Sequence, residues 1–169
     1  SFRTTTVSGQ TEDSYARRFV WNYYHRVPRP MRVLEPTNSW TYTIATWRQA
    51  NAAAANQLDF VVGVNEVPVE ATVVSTAYNS GAGVDFAVGI GLDSTSAVAT
   101  GVLLAEGSAN STTTDSPQAL VATVRTFPGI GRHTLVWLEI SQAATTTTFE
   151  GDTGAALTPQ SGITGMIEG

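Results

Sequence analysis

Residues 84–92 read VDFAVGIGL, so that Phe86, Val88, Ile90 and Leu92 fall on one side of an extended chain and Asp85, Ala87, Gly89 and Gly91 on the other. Alternation with period two describes a half-buried β-strand, because successive strand side chains point to opposite faces. The same period returns in 57–64, QLDFVVGV, where Leu58, Phe60, Val62 and Val64 share a face. It returns again in 68–79, where Val69, Ala71 and Val73 oppose Glu70 and Thr72. Further strand segments are read at 2–7, 15–27, 31–35, 40–43, 120–127, 132–140, 146–149 and 163–167.

Turn-forming groups separate these segments: Pro28 and Pro30, Pro36-Thr37-Asn38, Asn79-Ser80-Gly81, Pro128-Gly129 and Gly151-Asp152. Residues 50–56, ANAAAAN, have helix propensity but no amphipathic spacing and too little length, and they read as a loop or a single turn. Residues 105–117, AEGSANSTTTDSP, are polar and rich in Ser and Thr, and they read as a long exposed loop. Without helical crossovers or a visible internal repeat, the expected fold is all-β: an antiparallel, jelly-roll-like β-sandwich of about 8–11 strands. Its 169 residues form a single domain, 1–169, large enough to bury roughly 70% of the surface of the unfolded chain. A start at SFRTTT without Met reads as a released or trimmed C-terminal module of a longer or processed chain.

Composition narrows the chemistry. The chain has nine Arg and no Lys, which removes a P-loop lysine, a Schiff-base lysine and a lysine general base. With no Cys there are no disulfides, thiolate metal sites or cysteine nucleophiles. Apolar runs are a few residues long, so no membrane insertion is expected. Residues 1–48 carry seven Arg against Glu12, Asp13 and Glu35, net +4, whereas 49–169 carry two Arg against eleven acids, net −9. Arg of one layer or subunit is therefore expected to meet acids of the next. An acidic chain without Lys also lacks the field that nucleic-acid binding uses.

No constellation signals catalysis. His25 and His133 lie 108 positions apart and outside any ligand spacing, so each reads as a structural imidazole, and no metal or organic cofactor is expected. There is no GxSxG elbow, and Gly81-Ala-Gly83, Gly89-Ile-Gly91 and Gly129-Ile-Gly131 do not extend to GxGxxG. Gly89 and Gly91 sit between core residues and point instead to close approach by another backbone or a neighbouring subunit. Glu150 and Asp152 read as a solvated turn rather than a Ca²⁺ loop. Trp21, Tyr23, Tyr24, Trp40, Tyr42 and Trp47 crowd beside Arg17, Arg18, Arg26, Arg29, Arg32 and Arg48. Large aromatics supply core and interface energy, so Trp21, Trp40, Trp47 and Trp137, with Gly89 and Gly91, are assigned to core or interface, with sugar stacking as the alternative for the aromatic cluster.

The stretch 12–64, from EDSYARRFVW to QLDFVVGV, then VGIGLDST, FPGIGRHTLVWLEIS, GDTG and the closing QSGITGMIEG, resembles the C-terminal domain of bacteriophage fibre-like and other virion structural proteins. The likeness is one of texture: short Thr-rich strands, Gly-punctuated loops, and neither Lys nor Cys. It implies a non-enzymatic virion component, a homotrimeric head of a fibre, spike or capsid decoration at the particle surface, in contact with other virion proteins and with host surface glycan. Two rivals stand beside it: a glycan-degrading tail-spike domain, and a purely structural capsid or baseplate component. Loops carry recognition in β-sandwiches, so host contact is expected at Asn79 and Ser80 and at Ser108, Asn110, Ser111, Thr113 and Asp115.

Overall fold

The computed structural model describes residues 2–3, 11–100, 105–143, 145–152, 154 and 160–169. Among them lie fourteen strands: β1 Phe2–Arg3, β2 Arg17–Arg18, β3 Val20–Trp21, β4 Pro28–Leu34, β5 Ser39–Tyr42, β6 Arg48–Gln49, β7 Gln57–Val62, β8 Val69–Asn79, β9 Val84–Leu92, β10 Glu106–Ser111, β11 Gln118–Thr126, β12 Gly131–Ser141, β13 Thr147–Glu150 and β14 Gly162–Glu168. The count exceeds the expected range because β1, β2, β3 and β6 are two-residue pieces. Ala50–Ala52 forms a single 3₁₀ turn.

Both sheets are built on one plan. In sheet I the eleven-residue β12 pairs β9 along one edge, while its other edge is divided between β7 and β6. In sheet II the eleven-residue β8 pairs β11 along one edge and shares the other between β14 and β13, which β4 and β5 extend. Sheet I thus runs β10-β9-β12-β7-β2, and sheet II runs β11-β8-β14-β4 with β13 and β5 in line. In chain order the pieces fall in sheet II (β4, β5), I (β6, β7), II (β8), I (β9, β10), II (β11), I (β12) and II (β13, β14). That is the jelly-roll order, two interlocked Greek keys. Every pairing is antiparallel except β2 with β7.

Alternation explains which residues meet between the sheets. Leu58, Phe60, Val62, Phe86, Val88, Ile90, Leu135 and Trp137 from sheet I face Met31, Val69, Ala71, Val73, Leu120, Ala122, Val124, Phe149 and Ile163 from sheet II in one continuous core. Each large buried side chain contributes about 1.5–3 kcal/mol. A second, small cluster of Phe19, Trp21 and Val61 lies on the outer face of β7, where residues 16–21 are strapped across sheet I.

Three local expectations are corrected. The segment 105–117 is not a loop throughout: Glu106–Ser111 pairs with Ser111↔Val84 to Glu106↔Gly89 as β10, and only 112–117 forms a turn. The segment 15–27 is not one strand but two short ones followed by a turn at 23–25, which leaves His25 exposed. The close approach at Gly89 and Gly91 comes from the chain itself. A Cβ on Gly91 would strike the Ser94 and Ala97 carbonyls, and one on Gly89 would lie 2.9 Å from Val98 and 3.1 Å from Trp47. No neighbouring subunit is required there. Of the expected strand 2–7, residues 4–7 lie outside the described residues.

Candidate functional site

The outer face of sheet I carries a depression of about 260 Å³ lined by Ala45, Asp85, Ala87, Glu106, Ser108, Ile140 and Gln142. Its shape follows from the outward rows of three strands. Asn110 is opposite Asp85, and Ser108 is opposite Ala87, which is in turn opposite Ile140. The short Ala87 side chain between taller neighbours makes an apolar floor, and polar groups make the rim. Asp85 accepts from Asn110 Nδ2 at 2.7 Å, and its backbone N–H donates to Gln142 Oε1 at 3.0 Å. Among the described residues, the Glu106 carboxylate and the Ser108 hydroxyl have no side-chain partner. The depression is therefore acidic and open to a ligand that donates hydrogen bonds.

The two expected contact segments do converge. Asp115 N donates to Asn79 O at 2.8 Å, and Ser111 Oγ donates to Gly81 O at 2.5 Å. Burial divides them, however. Asn79 and Ser111 are both 0% exposed, so they tie the turn together rather than offer a contact. Asn79 Nδ2 donates to Thr147 Oγ1 at 2.7 Å and its Oδ1 accepts from Gly81 N at 2.8 Å. Ser80, Thr113 and Asp115 are exposed at this end of the sandwich, whereas Ser108 and Asn110 are exposed on sheet I beside the depression.

Trp21, Trp40 and Trp137 are buried, and Trp47 is half-buried against Gly89. Trp21 lies over Gly63 in the small outer cluster. Trp40 stacks on Phe149 with centroids 5.9 Å apart and meets the edge of Trp137 at 5.9 Å.

The buried acids are each bonded. Glu139 accepts from Trp40 Nε1 at 2.6 Å, the Arg48 guanidinium at 2.7 Å and Asn51 N at 3.2 Å. Burial pushes its carboxyl above the ordinary value more than these donors bring it down. Glu35 is also buried, which raises its carboxyl, but Asn56, Thr37 and Asn51 stabilise the charged form and hold it below the ordinary value. Asp59 takes a two-pronged bond from Arg132, 2.9 Å from Nε and 2.5 Å from a terminal nitrogen, and this raises the Arg132 guanidinium. His133 Nδ1 meets Asp93 at 2.7 Å. Arg48–Glu139 and Arg26–Glu66 join the basic first part of the chain to its acidic remainder, whereas Arg17, Arg18 and Arg29 bond Glu12 and Asp13 within the first part.

At the opposite edge of sheet I, just before β2, Tyr15 stands exposed between two guanidinium groups. Arg18 lies 5.3 Å and Arg32 5.6 Å from its ring centroid. The aromatic and Arg cluster read from the sequence includes Arg18 and Arg32 but not Tyr15, whose place between them needs β4 beside the 14–18 turn. Sequence reasoning also missed the depression, although the small outward residues Asp85 and Ala87 in VDFAVGIGL were its signal. Compared with known proteins, the sequence matches no protein-family model and no curated relative.

Proposed function

We propose that the chain is a non-enzymatic structural module of a bacteriophage virion, a homotrimeric fibre, spike or decoration head at the particle surface. In this reading it meets host surface glycan through the exposed turn of Thr113 and Asp115 and the adjoining Ser80. The observation that carries it is the jelly-roll strand order, an architecture that recurs in viral capsid and lectin domains. The bonded state of the buried acids supports the non-enzymatic half: Glu35, Asp59 and Glu139 are committed to structural donors rather than poised for proton transfer.

Incubation with host-derived polysaccharide tests the reading against its enzymatic rival. The expected result is retention of glycan that is lost on replacing Thr113 and Asp115, with oligosaccharide length unchanged. Shortening of the glycan that disappears in Glu106→Gln would contradict it, since a glycosidase needs an acid pair about 5–10 Å apart over the bound sugar.

A further inference from the structure

We infer that the acidic depression on sheet I receives Tyr15 of a second copy of this chain, with the exposed Arg32 of that copy against Glu106. The inference rests on the assembling-module reading above and specifies its contact surface. Three observations meet. The depression, about 260 Å³, exceeds the roughly 150 Å³ cavity that holds a benzene ring, so one phenol fits over the Ala87 and Ile140 floor. Its rim carries two carboxylates, and Glu106 has no side-chain partner among the described residues. Tyr15 is 57% exposed and arrives beside the exposed Arg32 guanidinium, while Arg18 on the ring's other side is largely buried and bonded to Asp13 and the Pro30 carbonyl, so shape and the Arg32 charge match the depression in the same place. Tyr and Arg are also the residues that most often anchor interfaces.

Geometry decides that the partner is another copy rather than the same chain. Sheet I runs β10-β9-β12-β7-β2, so Tyr15, before β2, and the depression, on β9 and β10, belong to opposite edges. Four strand spacings, on the order of 20 Å, separate those edges. A contact between unlike surfaces is head-to-tail, and it closes only as a ring. Three copies about a threefold axis give the closed form expected of a fibre or spike head. Gly89 and Gly91 take no part, because the chain's own residues 94–98 cover them.

Two exposed positions break the contact from either side without touching the core: Tyr15→Ala removes the ring, and Ser108→Trp fills the depression. Sedimentation and light scattering should give three 17.9 kDa chains for the unaltered protein and one chain for each variant, with the far-UV circular dichroism spectrum unchanged and the melting temperature lowered to that of the dissociated unaltered chain. The association constant should fall at least about tenfold. An equimolar mixture of the two variants should form a two-chain species and stop there, since one intact ring and one intact depression remain. High salt should weaken the native assembly. The proposal is overturned if either variant keeps the native mass, if the unaltered protein stays a single chain at millimolar concentration, or if the mixture forms no two-chain species. A single-chain protein that is nonetheless found in virions would overturn this contact and leave the structural reading standing.

Discussion

Trp40 Nε1 donates to Glu139 Oε2 at 2.6 Å, joining β5 of sheet II to β12 of sheet I across 99 positions of sequence. The bond lies at the edge of the core, with the Trp40 ring packed on Phe149 and Trp137. Ring and bond are separable by substitution. Trp40→Ala should cost about 3–5 kcal/mol through lost packing and the cavity left behind. Trp40→Phe keeps an aromatic ring but leaves Glu139 one donor short, at about 1–3 kcal/mol. Urea unfolding of the two variants, with an unchanged denaturant slope, checks the order; a Phe variant as damaged as Ala would shift the weight from packing to the hydrogen bond.

Two buried carboxyls predict opposite pH dependences around the ordinary value of 4.5. Glu35 is held below that value, so its contribution is present above 4.5 and is lost as pH falls through its lowered pKa. Glu139 is held above it, so the folded state keeps a proton that the unfolded state releases, and stability declines as pH rises from 4.5 through the raised pKa. Melting temperature against pH should therefore lose part of its acid-side fall in Glu35→Gln. It should lose part of its fall above 4.5 in Glu139→Gln. An acid-side fall identical in Glu35→Gln and the unaltered protein would refute the first assignment.

Arg132 holds the strap of residues 16–21 against sheet I. Its guanidinium bonds the buried Asp59, which pairs with Arg17 in the parallel β2–β7 ladder, and it lies 4.7 Å from the Phe19 ring centroid. Arg132→Ala leaves the Asp59 carboxylate buried without its cation. The cost should be about 1–3 kcal/mol, less than for a fully enclosed pair. Because the Arg132 side chain is 45% exposed, salt should already weaken the bond in the unaltered protein. Amide hydrogen exchange should speed up in 16–21 while that of β8 and β12 is unchanged. Uniform acceleration would mean that the strap does not open on its own.

Chelator should leave the melting temperature unchanged, because among the described residues no group of three or more His, Asp or Glu side chains could hold a metal ion. A shift of several degrees would direct attention to a cation near Glu150 and Asp152.

The long alternating segments were legible because their two faces differ in polarity and bulk. The strand read at 84–92 coincides with β9, and 57–64 and 68–79 contain β7 and β8. β10 was not legible: its inward positions are Gly107, Ala109 and Ser111, small residues with no bulky apolar period, and its pairing with β9 rests on backbone bonds. The Asp85–Asn110 contact on the depression's rim exists only once that strand is in register. Arg48, Trp40 and Glu139 lie 91 and 99 positions apart in their pairings, so their meeting is a product of topology that no local pattern announces. Gly89 and Gly91 were both read as close approaches by another backbone or a neighbouring subunit; at Gly91 the approaching backbone is the chain's own, at Ser94 and Ala97, whereas Gly89 meets the Val98 and Trp47 side chains, a distinction no local pattern carries.

The most direct test of the structural-module reading is the location of the chain in particles produced by the genome that encodes it. Quantitative peptide mass spectrometry of purified virions, combined with surface labelling by an antibody against the 112–117 turn, reads both presence and position. The account predicts the chain in fixed stoichiometry, in multiples of three, with the turn labelled on intact particles; particles that lack the chain, with the protein confined to the soluble lysate, would contradict it.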